Sequence, residues 1–348
     1  MKINQTILEL IAVSGDLPCS LIDRFEYSQR NMYRIIGRLM DAGLIKRYRK
    51  DKITYLRLTK KGEVYLQPSN TERFGEFEKS ADKSDKEKRL RLHRIASTYV
   101  AMRNAGIKFF NDEKPNVFTA DEEHEYEITE SVFYSSLDIK QCGLECVKVG
   151  YCRAVGVILT SDDTGFVVYH SRNALMKWSS KSEQKWWPVL TGILLRSRIQ
   201  IDNFDGLMIG QDMEFAKRVL FSDGGLTNNL FKIDETFNNF YYVPEDKNGD
   251  KMIAFLIDKE KRKNFRRKIM SEFEIEPELF PYACDGVNLN GQPVLLAYTF
   301  NLEELKKFKS GIEYFETKGM VICFEFQRAV LEAYFGKLAD IVIIDMEI

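Results

Sequence analysis

The sequence is poor in histidine, lacks long apolar runs and spaces its six cysteines widely. A membrane-spanning helix needs ~18 uninterrupted apolar residues, and no window of the chain comes close to that length. The first ten residues, MKINQTILEL, also lack the apolar core and cleavage site of a secretory signal. Scattered cysteines are typical of reduced thiols rather than of a disulfide scaffold. We therefore expect a cytoplasmic protein with no membrane partner.

Several enzyme classes are disfavoured because their motifs are missing. A histidine-rich metal site for DNA nicking needs clustered histidines, and the chain has three isolated ones: His93, His124 and His170. No Gly-x-x-x-x-Gly-Lys-Ser/Thr loop is present to hold the phosphates of a nucleotide. No Gly-x-Ser-x-Gly elbow is present to carry a serine nucleophile.

Among metal sites, the residues of this sequence come closest to a zinc site. Cys142, Cys146 and Cys152 together with His170 would supply four ligands. Cys-x₃-Cys is not a common zinc spacing, however, and the intervening Leu144 indicates a buried helix. We assign no metal ligand to the sequence.

The net charge of −1 hides a strong asymmetry along the chain. Residues 1–66 carry a net charge of +6, and residues 28–61 alone carry +9. Residues 95–348 carry −9. Because a local excess of positive charge attracts nucleic acid, a basic head and an acidic body are expected to have different partners.

The apolar pattern of the head predicts three helices followed by a β-hairpin. Apolar residues recur at helical spacing from Ile3 to Ile11, and a short second helix follows Leu17 and Pro18. Ser28 is a suitable N-cap for a third helix that ends near Ala42. Two β-like runs, residues 44–49 and 53–58, then flank a short charged turn. This order describes a winged helix.

Two stretches of the head resemble winged helix-turn-helix proteins of the MarR and plasmid replication-relaxation type. RIIGRLMDAGLIKRYRK is similar to the end of their third helix and the start of the wing, and ITYLRLTKKGEVYL to the rest of the wing and its closing turn. The resemblance covers residues 3–66. It implies a double-stranded DNA partner, a homodimer or mobile-element protein partners, and an accessory role in replication, relaxation or conjugative mobilisation of a plasmid or integrative element.

The DNA-contacting residues are expected on the outer face of the third helix and on the hairpin. Side-chain donors near the start of the helix can reach base edges, whereas cations on the hairpin suit phosphates. The candidates are Ser28, Gln29, Arg30, Asn31, Tyr33, Arg34 and Arg38 in the helix, and Lys46, Arg47, Arg49, Lys50 and Lys52 in the hairpin. The alternative is a solvated basic face used for protein contacts, and a ligand-sensing transcriptional regulator is a further possibility.

The remainder of the chain reads as a linker and a mixed-sheet α/β (α+β) body. Residues 67–85 are polar and mixed in charge, which is typical of a solvated linker. A long helix then opens a subdomain at 86–225, and the sequence SDGGLTNN favours a break before a second subdomain at 226–348. Strands are predicted at residues 151–159, 165–170, 206–209, 239–243, 252–258, 294–300, 320–326 and 341–346.

One enzymatic alternative is a Mg²⁺-dependent DNA-nicking relaxase or nuclease with a restriction-endonuclease-like body. Such a site needs two carboxylates and a lysine on neighbouring strands. Asp285 before one predicted strand, and Glu325 with Gln327 at the end of another, are fragments of that pattern. Neither fragment is complete, so no catalytic residue is assigned, and Mg²⁺ is expected only if the body is a nuclease. A degenerate form of this fold used for binding would explain the gaps.

A second basic patch lies inside the acidic body. Its members are Lys259, Lys261, Arg262, Lys263, Arg266, Arg267 and Lys268. The run is followed by four glutamates between residues 272 and 278. It is either a second phosphate-contacting surface or half of an internal charge pair, and the sequence leaves both open.

Overall fold

The computed structural model describes residues 3–67, 71–74, 77–82, 84–118, 125–140, 153–201, 203–225, 227 and 229–347. The chain divides into two compact units, Met1–Asn116 (unit 1) and Val117–Ile348 (unit 2). In the described part of the chain, no helix has the length and apolar character needed to cross a bilayer.

Unit 1 is built from helices around a small antiparallel sheet. Its helices are α1 (Ile3–Ser14), α2 (Gln29–Asp41), α3 (Lys60–Leu66), α4 (Thr71–Phe74) and α5 (Lys86–Asn104), and its strands are β1 (Leu17–Pro18), β2 (Ile45–Lys50) and β3 (Ile53–Leu58). Short 3₁₀ turns lie at Cys19–Arg24 and Asn111–Glu113. The strand order is β1-β3-β2. The predicted succession of three helical segments and a hairpin is therefore present.

Helix α2 forms where the sequence predicts it, for identifiable local reasons. The Ser28 hydroxyl accepts a hydrogen bond from the backbone N–H of Asn31 and so satisfies a free donor of the first turn. Apolar side chains at helical spacing, Met32 and Ile36 among them, are buried. After Ala42 the chain turns through Gly43, whose positive φ of 71° favours glycine.

The hairpin of β2 and β3 closes through a two-residue turn. Asp51 and Lys52 both have positive φ, 50° and 64°, as a type I′ turn requires. The register pairs Lys50 with Ile53 and Ile45 with Leu58. Strand β2 begins one residue later than predicted and runs to Lys50.

The segment predicted as a linker, and the long helix after it, belong to unit 1. The backbone N–H of Glu78 donates to the carbonyl of Ala12 at 2.9 Å, and the Ser80 hydroxyl donates to the carbonyl of Gly15 at 2.9 Å. Helix α5 packs on α1. The first boundary thus lies after Asn116 rather than at residues 67–85, because the segment is hydrogen-bonded to the end of α1 and the turn after it, and α5 packs on α1.

A buried ion pair connects the parts of unit 1. The Asp16 carboxylate is fully buried and accepts two hydrogen bonds from the Arg57 guanidinium of β3, at 2.6 and 3.0 Å. Arg57 also donates to the carbonyl of Ala81 at 2.8 Å. The Arg57 guanidinium lies 5.1 Å from the ring centres of both Tyr48 and Tyr55. The pair therefore fixes β3 to the loop after α1 and to the segment before α5.

Replacing Asp16 should destabilise unit 1 strongly. Asp16→Ala leaves the Arg57 guanidinium largely buried without its counter-charge, which costs roughly 3–5 kcal/mol. Hydrogen exchange of unit 1 peptides, read against unit 2 peptides of the same sample, measures the loss. Asp41→Ala, which removes an exposed carboxylate of the same unit, is the control. A loss below about 1 kcal/mol for Asp16→Ala would contradict the assigned role.

Unit 2 contains two sheets with helices between their strands. Its strands are β4 (Val132–Ser135), β5 (Gly156–Leu159), β6 (Thr164–Arg172), β7 (Asn203–Gly210), β8 (Phe240–Pro244), β9 (Gly286–Val287), β10 (Pro293–Leu296), β11 (Gly319–Phe324) and β12 (Ala339–Ile344). Its helices are α6 (Ser136–Lys140), α7 (Ser180–Gln184), α8 (Trp186–Arg196), α9 (Met213–Leu220), α10 (Lys247–Leu256), α11 (Lys259–Glu272), α12 (Leu302–Tyr314) and α13 (Arg328–Phe335).

Both sheets mix parallel and antiparallel pairs, which confirms the predicted α/β (α+β) class. One has the order β4-β5-β6-β7-β8, with antiparallel pairs up to β6 and parallel pairs beyond it. The other has the order β12-β11-β10-β9, in which only the β9–β10 pair is antiparallel. Parallel neighbours need crossover helices, and α8, α9, α12 and α13 occupy those connections.

The predicted break near residue 225 does not separate two cores. Val167 of β6, Phe240 of β8 and Val321 of β11 belong to one hydrophobic cluster that spans both sheets. Residues 222–225 are a connection without regular structure, in which Gly224 and Gly225 have positive φ and the Gly224 carbonyl accepts a hydrogen bond from the backbone N–H of Leu230. A sequence rich in glycine and asparagine therefore marks a connection within one unit.

One predicted strand is a helix. Residues 252–258 were expected to be extended, but α10 runs through Leu256. Asp246 caps this helix, because its carboxylate accepts hydrogen bonds from the N–H groups of Asn248 and Gly249. A short apolar run such as MIAFLI fits either a buried strand or a buried helix. Here the Asp246 cap favours the helix.

Candidate nucleic-acid interface

Helix α2 presents three arginines on one exposed face. Arg30, Arg34 and Arg38 follow one another at intervals of four residues, so they lie along one side of the helix. Asn31 and Tyr33 are exposed beside them, and half of the Tyr33 side chain is in solvent. This is the face opposite the buried stripe that contains Met32 and Ile36.

The hairpin adds a second group of exposed cations. Strand β2 pairs with β3 alone and is the edge of its sheet. Successive side chains of a strand point to opposite faces, so the exposed cations cover both faces of this edge and its tip. They are Lys46, Arg47, Arg49, Lys50 and Lys52. Edge strands that carry such charges resist pairing with other sheets and remain open to solvent.

The exposed cations of α2 and the hairpin form no ion pair within the described residues, although the charge of Lys50 acts on the neighbouring Asp51. They are Arg30, Arg34, Arg38, Lys46, Arg47, Arg49, Lys50 and Lys52. Other arginines of unit 1 are tied into the fold, for example Arg57 to Asp16 and Arg73 to Asp112. The charge of the eight is therefore available to a ligand.

Two of the predicted contact residues have structural tasks. The Ser28 hydroxyl caps α2. The Gln29 side chain donates to the Asp23 carboxylate at 3.2 Å. Both remain exposed, but their side chains are already engaged.

A polar stripe on α5 supports the hairpin, and the sequence alone gave no sign of it. Arg89, His93 and Ser97 follow at intervals of four residues. The buried Arg89 guanidinium pairs with the Asp51 carboxylate at the hairpin tip. The His93 ring lies 5.2 Å from the Tyr55 ring of β3. The Ser97 hydroxyl accepts a hydrogen bond of 3.0 Å from Arg24.

The pairing with Arg89 also changes the electrostatics of the hairpin tip. The hydrogen bond from Arg89 holds the pKa of Asp51 below its usual value. Asp51 lies between Lys50 and Lys52, and its negative charge would otherwise oppose theirs. Arg89 both positions the tip and neutralises its one acidic group.

Breaking this pair should loosen the tip. In Asp51→Asn the carboxylate that Arg89 holds is removed, so the amides of residues 49–54 should exchange faster with solvent, by several-fold. Arg89→Met should have the same effect, and combining the two changes should add little, since they remove one interaction. Arg91→Met, which removes an exposed arginine two residues away, should leave those amides unchanged. Additive effects of Asp51→Asn and Arg89→Met would refute the pairing.

The candidate nuclease residues of unit 2 have backbone partners. One oxygen of Asp285 accepts a hydrogen bond from the N–H of Leu296 at 2.7 Å, and the other pairs with Arg266. The buried Gln327 accepts from the N–H of Phe324 at 3.0 Å and donates to the carbonyl of Tyr298 at 2.9 Å. Glu325 is exposed. Asp285 and Gln327 thus hold the ends of β10 and β11 in place.

The cysteines of the possible zinc ligand set, Cys142, Cys146 and Cys152, lie outside the described residues. Over the part of the chain that the structure covers, no three His, Cys, Asp or Glu side chains are grouped as a metal site. The described cysteines, Cys19, Cys284 and Cys323, are free thiols.

In the second basic patch Arg262 is partly buried and the other six residues are exposed. Arg266 pairs with Asp285, and Arg262 faces the buried Asp205 and Tyr241. The lysines and Arg267 are exposed: Lys259, Lys261, Lys263, Arg267 and Lys268. The acidic partners of the second basic patch within unit 2 are therefore Asp205 and Asp285, rather than the glutamates at 272–278.

Asp205 is buried beside a chain of amides. The Asn239 side chain donates to Asp205 at 2.9 Å, and the Asn301 side chain donates to Asn239 at 2.9 Å. Burial raises the pKa of Asp205 to about 6, although Asn239 and Arg262 oppose the shift. The neighbouring Glu304 has its pKa raised to about 7, also chiefly by burial. These carboxyl groups take up protons in the mildly acidic range.

Asp205 should make unit 2 less stable as the pH rises. Its pKa is about 6 in the folded chain and 3.8 as the ordinary value, so the folded state binds more protons between these limits and loses stability as pH increases. Asp205→Asn cannot ionise. Its free energy of unfolding, relative to that of the natural chain, should therefore rise by about 3 kcal/mol as the pH goes from 4 to 7.

Urea unfolding followed by tryptophan fluorescence measures this difference, because all three tryptophans lie in unit 2: Trp178, Trp186 and Trp187. The control is Asp340→Asn, an exposed carboxyl whose pKa is lowered by Lys318 and which stays ionised over this range. A difference in stability between Asp205→Asn and the natural chain that does not change with pH would contradict the raised pKa of Asp205.

Comparisons with known proteins identify no relative: no protein-family model, curated protein or solved structure matches the chain. A functional assignment therefore depends on the chemistry of its own surfaces.

Proposed function

We propose that the chain is a duplex DNA-binding protein that contacts DNA through unit 1, with α2 in the major groove and the β2–β3 hairpin on the flanking backbone. The observation that carries the proposal is the set of eight exposed cations on these two elements, none of which forms an ion pair within the described residues. The order of helix, strand, helical turn, helix and hairpin is also that of winged helix-turn-helix proteins.

The side chains on the exposed face of α2 suit base edges. An α-helix fits the width of the major groove of B-DNA. Arginine can donate two hydrogen bonds to guanine, and asparagine can bind adenine in a similar manner. Arg30, Asn31 and Arg34 lie in the first half of α2, where readout by such a helix is concentrated. Tyr33 adds an exposed ring that can contact a thymine methyl group.

Gly37 supports a close approach to this face. Glycine in the middle of a helix costs about 1 kcal/mol relative to alanine. A Cβ atom at Gly37 would meet nothing within the chain, so internal packing does not require the glycine. It lies next to Arg38 and one turn from Arg34, where a small residue lets a DNA backbone come near the helix.

The biological setting follows from resemblance. Residues 3–66 resemble plasmid replication-relaxation proteins, so we place the chain in replication, relaxation or conjugative mobilisation of a plasmid or integrative element. We assign it an accessory role that recruits other proteins, as a homodimer on a two-fold site. A nicking role receives less support, since Asp285 and Gln327 are occupied by backbone contacts.

Removing the helix arginines should abolish most of the binding. In the triple variant Arg30→Ala, Arg34→Ala and Arg38→Ala, affinity for a mixed-sequence 30-bp duplex should fall by at least ~100-fold, at roughly 1 kcal/mol or more for each contact. The slope of log affinity against log salt should become shallower by about one for each lost phosphate contact. Fluorescence anisotropy over a salt series gives both quantities.

A charge-matched control separates oriented binding from general attraction. The triple variant Lys259→Ala, Lys261→Ala and Arg267→Ala also removes three positive charges, but from exposed positions of α11. It should bind the duplex as the natural chain does. Equal losses in the two variants, or no loss in the helix variant, would overturn the proposal. Footprinting on the protein's own genomic region then locates the specific site.

A further inference from the structure

Unit 2 carries a group of linked aromatic rings, of which Tyr282 packs against the core. Ring contacts join Phe280 to Tyr282 at 5.3 Å, Tyr282 to Phe315 at 5.6 Å, and Phe315 to Tyr314 at 5.0 Å. Leu279 precedes Phe280 in the chain. We call these five residues the aromatic surface.

The outer members of the aromatic surface lie in solvent. Leu279 is fully exposed, Tyr314 is 81% exposed and Phe315 is 49% exposed. Single exposed apolar residues are ordinary, whereas a continuous group of them is typical of a binding site. Aromatic side chains are also the residues that contribute most at protein interfaces.

The aromatic surface rests on a rigid support. The Tyr282 ring lies flat against α12 at Gly311, where a Cβ atom would come within 2.2 Å of the Tyr282 Cγ atom. Its other neighbour is Phe308, which belongs to the hydrophobic core. A surface held in this way loses little conformational entropy when a partner binds.

Acidic residues surround the aromatic surface. Glu278, Glu313 and Glu316 are exposed next to its members in the chain. None of the three forms an ion pair within the described residues, and the nearby Lys318 is paired with Asp340 at 2.5 Å. Two copies meeting through this surface would bring like charges together, which is unfavourable. The charge therefore selects a positively charged partner over a second copy.

We propose that the aromatic surface binds a basic amphipathic segment of another protein, in which leucine or phenylalanine side chains alternate with lysine or arginine. The apolar side chains of that segment lie on the rings, and its cations face Glu278, Glu313 and Glu316. This function is separate from DNA binding and does not depend on it.

The test uses the full chain and a fluorescein-labelled 18-residue peptide with leucines on one helical face and lysines on the other. The natural chain should bind it, and binding should weaken as salt is raised. The double variant Leu279→Ser and Tyr314→Ser should bind at least about tenfold more weakly. Because both side chains are mostly in solvent, the variant should fold normally. Glu278→Gln, Glu313→Gln and Glu316→Gln together should weaken binding and reduce its salt dependence.

Matched controls change the same residue types elsewhere in unit 2. Leu289→Ser alters an exposed leucine outside the surface, and Glu127→Gln, Glu214→Gln and Glu325→Gln together remove three other exposed acids. Both should bind as the natural chain does. Equal weakening by these controls, equal binding of a peptide with glutamate in place of lysine, or no peptide binding would overturn the proposal. So would sedimentation showing that Leu279→Ser and Tyr314→Ser dissociate a dimer, since the occupant would then be a second copy.

Discussion

The pairing of Asp16 with Arg57 is the interaction on which the organisation of unit 1 depends. A buried carboxylate is costly unless it receives hydrogen bonds and a counter-charge, and Arg57 supplies both through two nitrogen atoms. A second N–H of the same Nη2 atom reaches the carbonyl of Ala81, and the guanidinium lies against the rings of Tyr48 and Tyr55. One guanidinium therefore fixes the hairpin strand, the loop after α1 and the segment that leads into α5. The hairpin projects from this junction, so the buried Arg57 fixes the position of its exposed cations.

The same principle divides the arginines of the chain into two groups with different roles. Arg57, Arg73 and Arg89 lie against carboxylates and contribute to the fold. Arg30 and Arg34 have no such partner within the described residues and keep their charge available for a ligand. In unit 2, Arg266 is bound to Asp285. A count of basic residues cannot separate these groups, because the difference lies in which acids the fold brings near each guanidinium.

The limits of prediction from sequence follow from the range of the interactions involved. Helix α2 could be predicted because a Ser28 cap, a four-residue apolar repeat and Gly43 all act within one segment. The hairpin could be predicted for the same reason. The position of α5 could not, since its apolar stripe fits any core, and its contact between Arg89 and Asp51 joins residues 38 positions apart. The exposed position of the candidates in α2 could therefore be predicted, whereas the support that α5 gives to the hairpin could not. Asp205 was missed because its burial depends on Asn239 and on Arg262, which are distant in the chain.

Charge and apolar chemistry are the basis of the two proposed binding roles. A net charge of −1 gives the whole molecule little general attraction to DNA, so the proposed binding depends on the positive residues of unit 1. Charge alone would bind any duplex. A preference among sequences must come from side chains that can contact bases, such as Asn31. The acidic margin of the aromatic surface works in the opposite sense, since it repels DNA phosphates and attracts cations. Apart from the two tyrosine hydroxyls its side chains offer no hydrogen-bonding groups, so apolar fit would distinguish the partner. On the two proposals above, the surfaces carry opposite charge and each disfavours the other's ligand, so the two ligands would not compete.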